Sequence, residues 1–106
     1  MDRLILHLTT PDPAHHLELE ISGELDAANT PKLCDAVTEA LERGGRHLVL
    51  DLSGITWCDN ASLYTLLGVR HAVHHVGGSL TICRASGAVC EALSRTGLTD
   101  LLPQAR

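Results

Sequence analysis

Strand patterns and helix patterns alternate along most of this 106-residue chain. Residues 15–25 alternate apolar and polar side chains as a half-buried strand does, and residues 47–55 and 77–85 are further strand segments. Each of these strand segments is separated from the next by a segment with a helix pattern. Steps of about 30 residues from strand through helix to strand are typical of parallel crossovers. The strand-like run at 3–8 ends in the turn sequence TTPDP, which predicts an antiparallel hairpin with 15–25.

These patterns predict the order β-β-α-β-α-β-α in one domain spanning residues 1–106. The fold class is α/β: a small mixed sheet of about four strands, an N-terminal antiparallel hairpin, then βαβαβ-like parallel crossovers, with helices mainly on one face. The apolar segment 47–55 is expected to be covered on both faces. Capping residues and glycines predict helices from Thr30 to Gly44, from Asn60 to Val76 and from Ser86 to Gly97, with a short terminal helix in LTDLL.

The second helix has two faces of different chemistry. Its core stripe is expected to be Leu66, Val69, Val73 and Val76. The opposite face carries Tyr64, Gly68, His71 and His75.

Composition and charge exclude several classes of function. The net charge is -5, no basic run occurs, and the chain has one Trp, one Tyr and no Phe, so nucleic-acid binding is not expected. No apolar run is long enough to span a bilayer and no leader pattern begins the chain, which predicts a cytoplasmic protein without a membrane partner. The four cysteines lack zinc or redox spacing and are interpreted as reduced thiols that fill the core.

Polar residues are concentrated where the third strand runs into the second helix, in the sequence ITWCDNASLYTLL at 55–67. Open α/β sheets present functional groups at such junctions. Asp59 is predicted to be the helix N-cap, with Asn60, Ala61 and Ser62 in the first turn. Capping alone would account for Asp59, so a binding role needs a further argument.

That argument comes from a resemblance. The segments ISGELDAANTPKL, HLVLDLSGITWCDNASL and LSRTGLTDLL stand in the order seen in the STAS family, and the chain resembles its anti-sigma factor antagonists over nearly its whole length. The resemblance implies a binding module, not an enzyme. Its partner would be an anti-sigma factor that is also a serine/threonine kinase, met at a surface that includes Asp26, Asp59, Asn60, Ala61, Ser62 and Leu63.

The resemblance also implies a phosphorylation switch, and here the chain departs from the pattern. Antagonists of this type read Asp-Ser-Ser/Thr-Gly-Leu at the junction, and phosphate on the second hydroxyl residue abolishes binding. In this chain Ala61 occupies that position and has no hydroxyl. Three interpretations remain open: a permanently unphosphorylated binder, a switch that uses Ser62, or a STAS scaffold in another signalling complex.

The same residues also have structural interpretations. Asp26 could instead be a solvated loop carboxylate, and Leu63 and Leu67 are favoured as the edge of the core over partner contacts. His71 and His75 have the i, i+4 spacing of metal ligands but no acidic or Cys neighbour, so no metal is expected. Cys58 lies near a helix start, yet a small core filler explains it more simply than a nucleophile. No cofactor is predicted, and the chain is expected to be a monomer or weak dimer.

Overall fold

A four-stranded mixed sheet and three helices make up the residues that the computed structural model describes, 4–12 and 16–98. The strands follow the spatial order β1-β2-β3-β4, with β1 antiparallel to β2 and the other two pairs parallel. This confirms the predicted α/β sheet with its N-terminal hairpin and two parallel crossovers. The terminal helix predicted in LTDLL lies almost wholly outside the described residues. The elements are β1 (Leu4–Asp12), β2 (His16–Leu25), α1 (Thr30–Glu42), β3 (His47–Cys58), α2 (Asn60–His75), β4 (Ser79–Ala85) and α3 (Gly87–Thr96).

One face of the sheet carries the hydrophobic core. Along β2, Leu19 and Ile21 are buried while Glu20 between them is exposed, as the alternating pattern predicts. All three helices add buried side chains to the same cluster, so they cover this face. Burying an aliphatic side chain of this size stabilises the fold by about 1.5–3 kcal/mol. The largest fully buried side chains include Leu4, Leu25, Leu33, Leu48, Leu50, Leu52, Leu63, Leu66, Ile82 and Leu93.

The expectation that β3 is covered on both faces is wrong. Leu48, Leu50 and Leu52 point into the core, but Ser53 is exposed and Asp51 lies beside polar residues on the face opposite the helices. The run looked continuous because the half-buried Val49 interrupts the polar side of the alternation. The face opposite the helices therefore carries polar side chains.

Two strands are longer than the sequence patterns predicted. β1 continues through Pro11 to Asp12, which pairs with His16 after an irregularity in the register. Proline is tolerated there because β1 is an edge strand and need not donate a hydrogen bond on its free side. β3 continues beyond Ile55 to Cys58, which pairs with Leu25 at the end of β2.

The buried stripe of α2 begins closer to its N-terminus than predicted. Leu63 and Leu66 are fully buried, Val69 is half-buried, and Val76 is 49% exposed because it follows the end of the helix as its C-cap. The opposite face agrees with the prediction, since Tyr64, Gly68, His71 and His75 are all exposed.

Two smaller expectations also need correction. The N-cap of α1 is Asn29, and Thr30 is its buried first residue. The cysteines are free, but only Cys58 is buried, while Cys83 and Cys90 are exposed and do not fill the core. Among the described residues, no helix is both long and apolar enough to cross a membrane.

Candidate partner-binding site

The two acidic segments singled out in the sequence meet at one end of the sheet. β2 and β3 are parallel neighbours, so their carboxyl ends lie side by side, with Leu25 opposite Cys58. The backbone N–H of Asp59 donates to the carbonyl of Leu25 at 3.2 Å. The loop that follows β2 is thereby placed against the first turn of α2.

Asp59 joins these two segments through its carboxylate. It is the N-cap of α2, and its Oδ1 accepts the backbone N–H of Ser62 at 2.8 Å as well as the Ser62 hydroxyl. Its Oδ2 accepts the backbone N–H of Ala27 at 3.2 Å. The predicted N-cap is confirmed. Because both oxygens are engaged within the molecule, the carboxylate mainly holds the loop and the helix together.

The protonation of Asp59 reflects these contacts. Partial burial by itself would raise the pKa of the Asp59 carboxyl, but the hydrogen bonds from the Ser62 side chain and backbone and from the Ala27 backbone together hold it below its usual value. The carboxylate is therefore ionised at neutral pH.

This shift predicts a pH dependence of stability. The stabilisation is fully present above the carboxyl pKa of the unfolded chain, about 3.9, and is lost as the pH falls through the lower pKa of the folded state. We expect the native chain to lose more free energy of unfolding than Asp59→Asn does when urea titrations are run at about pH 6 and about pH 3. Asparagine still caps a helix but does not titrate. Parallel pH profiles for the two proteins would contradict this account of Asp59.

The Asp26 carboxylate accepts hydrogen bonds from backbone N–H groups of the loop after β2. Its Oδ1 accepts the backbone N–H groups of Ala28 at 2.9 Å and Asn29 at 3.0 Å. In return, the Oδ1 of Asn29 accepts the N–H of Asp26 at 2.9 Å, and its Nδ2 donates to the carbonyl of Glu24 at 2.8 Å. Asp26 and Asn29 thus fix the conformation of the loop, which explains Asp26 without a partner.

Two of the proposed partner residues have buried side chains. Ser62 and Leu63 are both 0% exposed. The Ser62 hydroxyl is occupied by Asp59, and Leu63 belongs to the hydrophobic core. In the free chain neither side chain is exposed for contact with a partner, and the Ser62 hydroxyl is enclosed while this first turn stays folded.

The accessible part of the junction is formed by other side chains. Ala27, Ala28, Asn60 and Ala61 are exposed, and Tyr64, one turn further along α2, is 56% exposed. We call these five residues the loop–helix surface. It carries no ionisable group other than the tyrosine phenol, because the carboxylates of Asp26 and Asp59 are directed at backbone donors.

Arg95 is a neighbour of this surface that the sequence did not reveal. Its Nε and one terminal nitrogen donate to the Oδ1 of Asn60 at 3.2 and 2.9 Å. The two residues are 35 positions apart and belong to different helices, so no local pattern indicates their contact. Ala27, Ala28 and Tyr64 were also missed as site residues, although the motif that includes Asp26 lies directly before the two alanines.

The catalytic and metal-binding alternatives find little support in the described residues. Burial raises the pKa of the Cys58 thiol to about 11, the opposite of an activated nucleophile. His71 and His75 are exposed and belong to no group of three ligands in the described part of the chain. Glu18, Asp51 and Cys83 place potential ligand atoms within 4.8 Å of one another on the sheet. The absence of a metal stays a prediction.

Comparison with known proteins shows which family the chain belongs to. The family model described as "Mlab, STAS domain" matches residues 8–103. The chain belongs to the STAS domain family.

Its individual relatives are antagonists of anti-sigma factors by name. The anti-sigma-B factor antagonist of Staphylococcus aureus strain NCTC 8325 / PS 47 is 27% identical over 99 residues, which cover 93% of this chain and 90% of that protein. Among solved structures, an anti-sigma factor antagonist from Mycobacterium paratuberculosis superimposes with a TM-score of 0.77 at 20% identity, covering 94% of this chain and 83% of that one. The antagonist SpoIIAA in its unphosphorylated form also gives 0.77 at 16% identity, covering 96% and 89%. These structures share the fold, and none of the names describes a catalysed reaction.

Proposed function

We propose that this protein is a regulator of the anti-sigma factor antagonist type. It docks an anti-sigma factor with serine-kinase activity through the loop and helix start at 58–63, and it lacks the usual phosphoswitch because Ala61 stands at the phosphoacceptor position. The single observation that carries the proposal is the exposed methyl group of Ala61 on the first turn of α2, beside a loop that Asp59 holds in place.

The chemistry of the loop–helix surface supports this kind of docking. Small side chains at Ala27, Ala28 and Ala61 let a partner backbone approach closely, and Tyr64 offers the large amphipathic contact that is common at interface hot spots. Asp26 and Asp59 act from beneath this surface, where they fix its shape. Ser62 and Leu63 support it from within and are not proposed as contacts.

The same chemistry explains why a charge at position 61 would be disruptive. A phosphate adds about -1.5 to -2 charges to a serine. On a surface that is desolvated when a partner binds, this charge would carry a large desolvation cost, and the cation beside it, Arg95, already donates to Asn60. Alanine keeps position 61 permanently in the neutral state, so binding would be controlled by the amount of partner and not by modification.

Ala61→Glu tests the docking surface directly. We expect it to weaken binding to the purified anti-sigma factor kinase of the same organism at least tenfold, measured by titration calorimetry, because a carboxylate is desolvated in the interface and the nearby Arg95 is already engaged with Asn60. The fold should tolerate the change, since an acidic residue in the first turn interacts favourably with the helix dipole. Ala72→Glu is the matched control, because Ala72 is an exposed alanine on the same helix, away from the loop.

Two outcomes would contradict the proposal. One is equal binding by Ala61→Glu and Ala72→Glu, and the other is failure of the native chain to bind any such kinase. A serine variant then tests the missing switch. With the kinase and ATP, Ala61→Ser should become phosphorylated and be released, while the native chain should remain unmodified and bound. Phosphate on Ser62 of the native chain would show that this protein has a switch after all.

A further inference from the structure

A polar cavity lies on the face of the sheet opposite the helices, away from the loop–helix surface. Its volume is about 290 Å³, near the lower end of the range for small-molecule sites. Its lining includes residues from all four strands. The proposed docking function makes no use of this cavity.

Four ionisable side chains form a row across the cavity. The strand register pairs His7 with Glu20, Glu20 with Asp51, and Asp51 with Arg84. Neighbouring strands lie about 4.8 Å apart, so successive members of the row are close enough to bind one small molecule together. The row presents two carboxylates in its centre and a guanidinium at one end.

Two small residues of the lining, Ser22 and Gly54, lie beside this row and pack closely against each other. In the register, Ser22 stands opposite Gly54, close to an irregularity in the pairing of β2 with β3. A Cβ atom at Gly54 would lie 2.7 Å from the Cβ of Ser22, so a larger residue there would need the strands to shift. Ile5, 62% exposed, adds an apolar side to the cavity.

Asp51 is the most informative residue of the lining. Its side chain is only 8% exposed, and the backbone N–H and hydroxyl of Ser53 donate to its Oδ1 at 3.0 and 2.7 Å. These hydrogen bonds, with the guanidinium of Arg84, keep the pKa of Asp51 low despite its burial. The carboxylate is therefore anionic at neutral pH.

The ion pair between Asp51 and Arg84 is long. The nearest terminal nitrogen of Arg84 lies 3.8 Å from Asp51 Oδ2, beyond hydrogen-bond distance, and the Arg84 side chain is 73% exposed. A buried charge gains most when its partners are within hydrogen-bond distance. A ligand that carries a cationic donor and an anionic acceptor on the same carbon atom could hydrogen-bond Asp51 and Arg84 at once.

We propose that this cavity binds a free α-amino acid as a zwitterion. The α-ammonium group hydrogen-bonds to the Asp51 and Glu20 carboxylates, and the α-carboxylate pairs with the guanidinium of Arg84. The hydroxyls of Ser22 and Ser53 lie at the same site, and the ligand side chain extends over Ile5. The STAS domain would then sense a small metabolite on one face while it binds a protein at the end of the sheet.

The test is a binding screen by NMR on the full chain. Each of the twenty standard L-amino acids is added singly, and backbone amide shifts are followed at Ser22, Asp51, Ser53, Gly54 and Arg84. We expect at least one amino acid to shift these amides with saturation. Its N-acetyl derivative and its methyl ester, which each lack one of the two charges, should bind at least about tenfold more weakly.

Variants then test whether Asp51 and Arg84 each bind one charged group of the ligand. Asp51→Asn keeps an acceptor for the Ser53 donors, and Arg84→Gln changes an exposed side chain, so both should fold; each should weaken binding at least about tenfold. Arg43→Gln is the control, because Arg43 is an exposed arginine on α1 that pairs with Glu39.

Three results would overturn the inference. They are no saturable shift with any amino acid, equal binding of the blocked derivatives, and shifts at Glu18, Asp51 and Cys83 produced by ZnCl₂ alone without any amino-acid response. None of these results depends on the partner protein, so this experiment tests the amino-acid site independently of the proposed docking function.

Discussion

Asp59→Ala is expected to destabilise the fold by about 2–3 kcal/mol, because one substitution removes three hydrogen bonds. Loss of an N-cap costs about 0.5–2 kcal/mol, and the buried Ser62 hydroxyl left without its acceptor adds about 1–3 kcal/mol, although the two effects overlap. Urea denaturation monitored by circular dichroism gives the change in the free energy of unfolding. Hydrogen exchange gives the local effect, since the amides of Ala27 and Ser62 should exchange faster.

The matched control for this variant is Asp35→Ala. Asp35 is an exposed carboxylate on α1, and its removal should change stability by no more than about 0.5 kcal/mol. If Asp59→Ala were as mild as the control, Asp59 could not be the residue that joins the loop to α2. Binding of the proposed partner, an anti-sigma factor kinase, should also weaken for Asp59→Ala, because Ala27 and Ala28 would no longer be held beside Ala61.

Leu63→Ala is expected to cost about 2–5 kcal/mol of stability, the range for truncating a fully buried leucine. The loss arises from the cavity left in the core between α2 and the sheet. Partner affinity of the remaining folded protein, measured below its unfolding transition, should stay within about twofold of the native value, a difference under about 0.5 kcal/mol.

Tyr64→Ala should give the reverse result. The Tyr64 side chain is 56% exposed, so its removal should leave stability within about 0.5 kcal/mol, while affinity for the partner falls at least about tenfold. Comparing the Leu63→Ala and Tyr64→Ala variants thus distinguishes the effect of the core on stability from the effect of the proposed interface on binding. A Leu63→Ala variant that stays stable but fails to bind would show that Leu63 contacts the partner.

Local sequence patterns were sufficient to predict most of the fold. The strand alternation in β2, the caps at Asp59 and Ser86 and the ending of α3 at Gly97 all follow from short-range preferences, and the structure confirms each. Gly97 adopts the left-handed conformation (φ 78°) that favours glycine at this position. The strand directions, an antiparallel hairpin followed by parallel crossovers, followed from connection lengths, and the structure confirms them.

The predictions of burial were wrong where burial depends on residues that are close in space but distant in sequence. Val76 was assigned to the core by its spacing, but the helix ends at His75 and leaves Val76 half exposed. Leu63 was assigned to the core edge or the partner surface, but its side chain is fully buried within the hydrophobic core. β3 was thought to be covered on both faces, because composition cannot tell which face receives the helices.

The sequence alone determined the order of the strands and helices, the acidic N-cap of α2 and the alanine at position 61. These features depend on side-chain chemistry and on contacts within a few residues. Only the tertiary structure decided which polar groups face outward. Asp26 and Asp59 were expected to meet a partner, yet the Asp26 carboxylate accepts backbone donors of its own loop. The parallel pairing of β2 with β3 places the Ala27 N–H beside the Asp59 carboxylate and leaves alanines, Asn60 and Tyr64 at the surface. Burial and long-range pairing are properties of the folded chain, because they depend on residues that are distant in sequence.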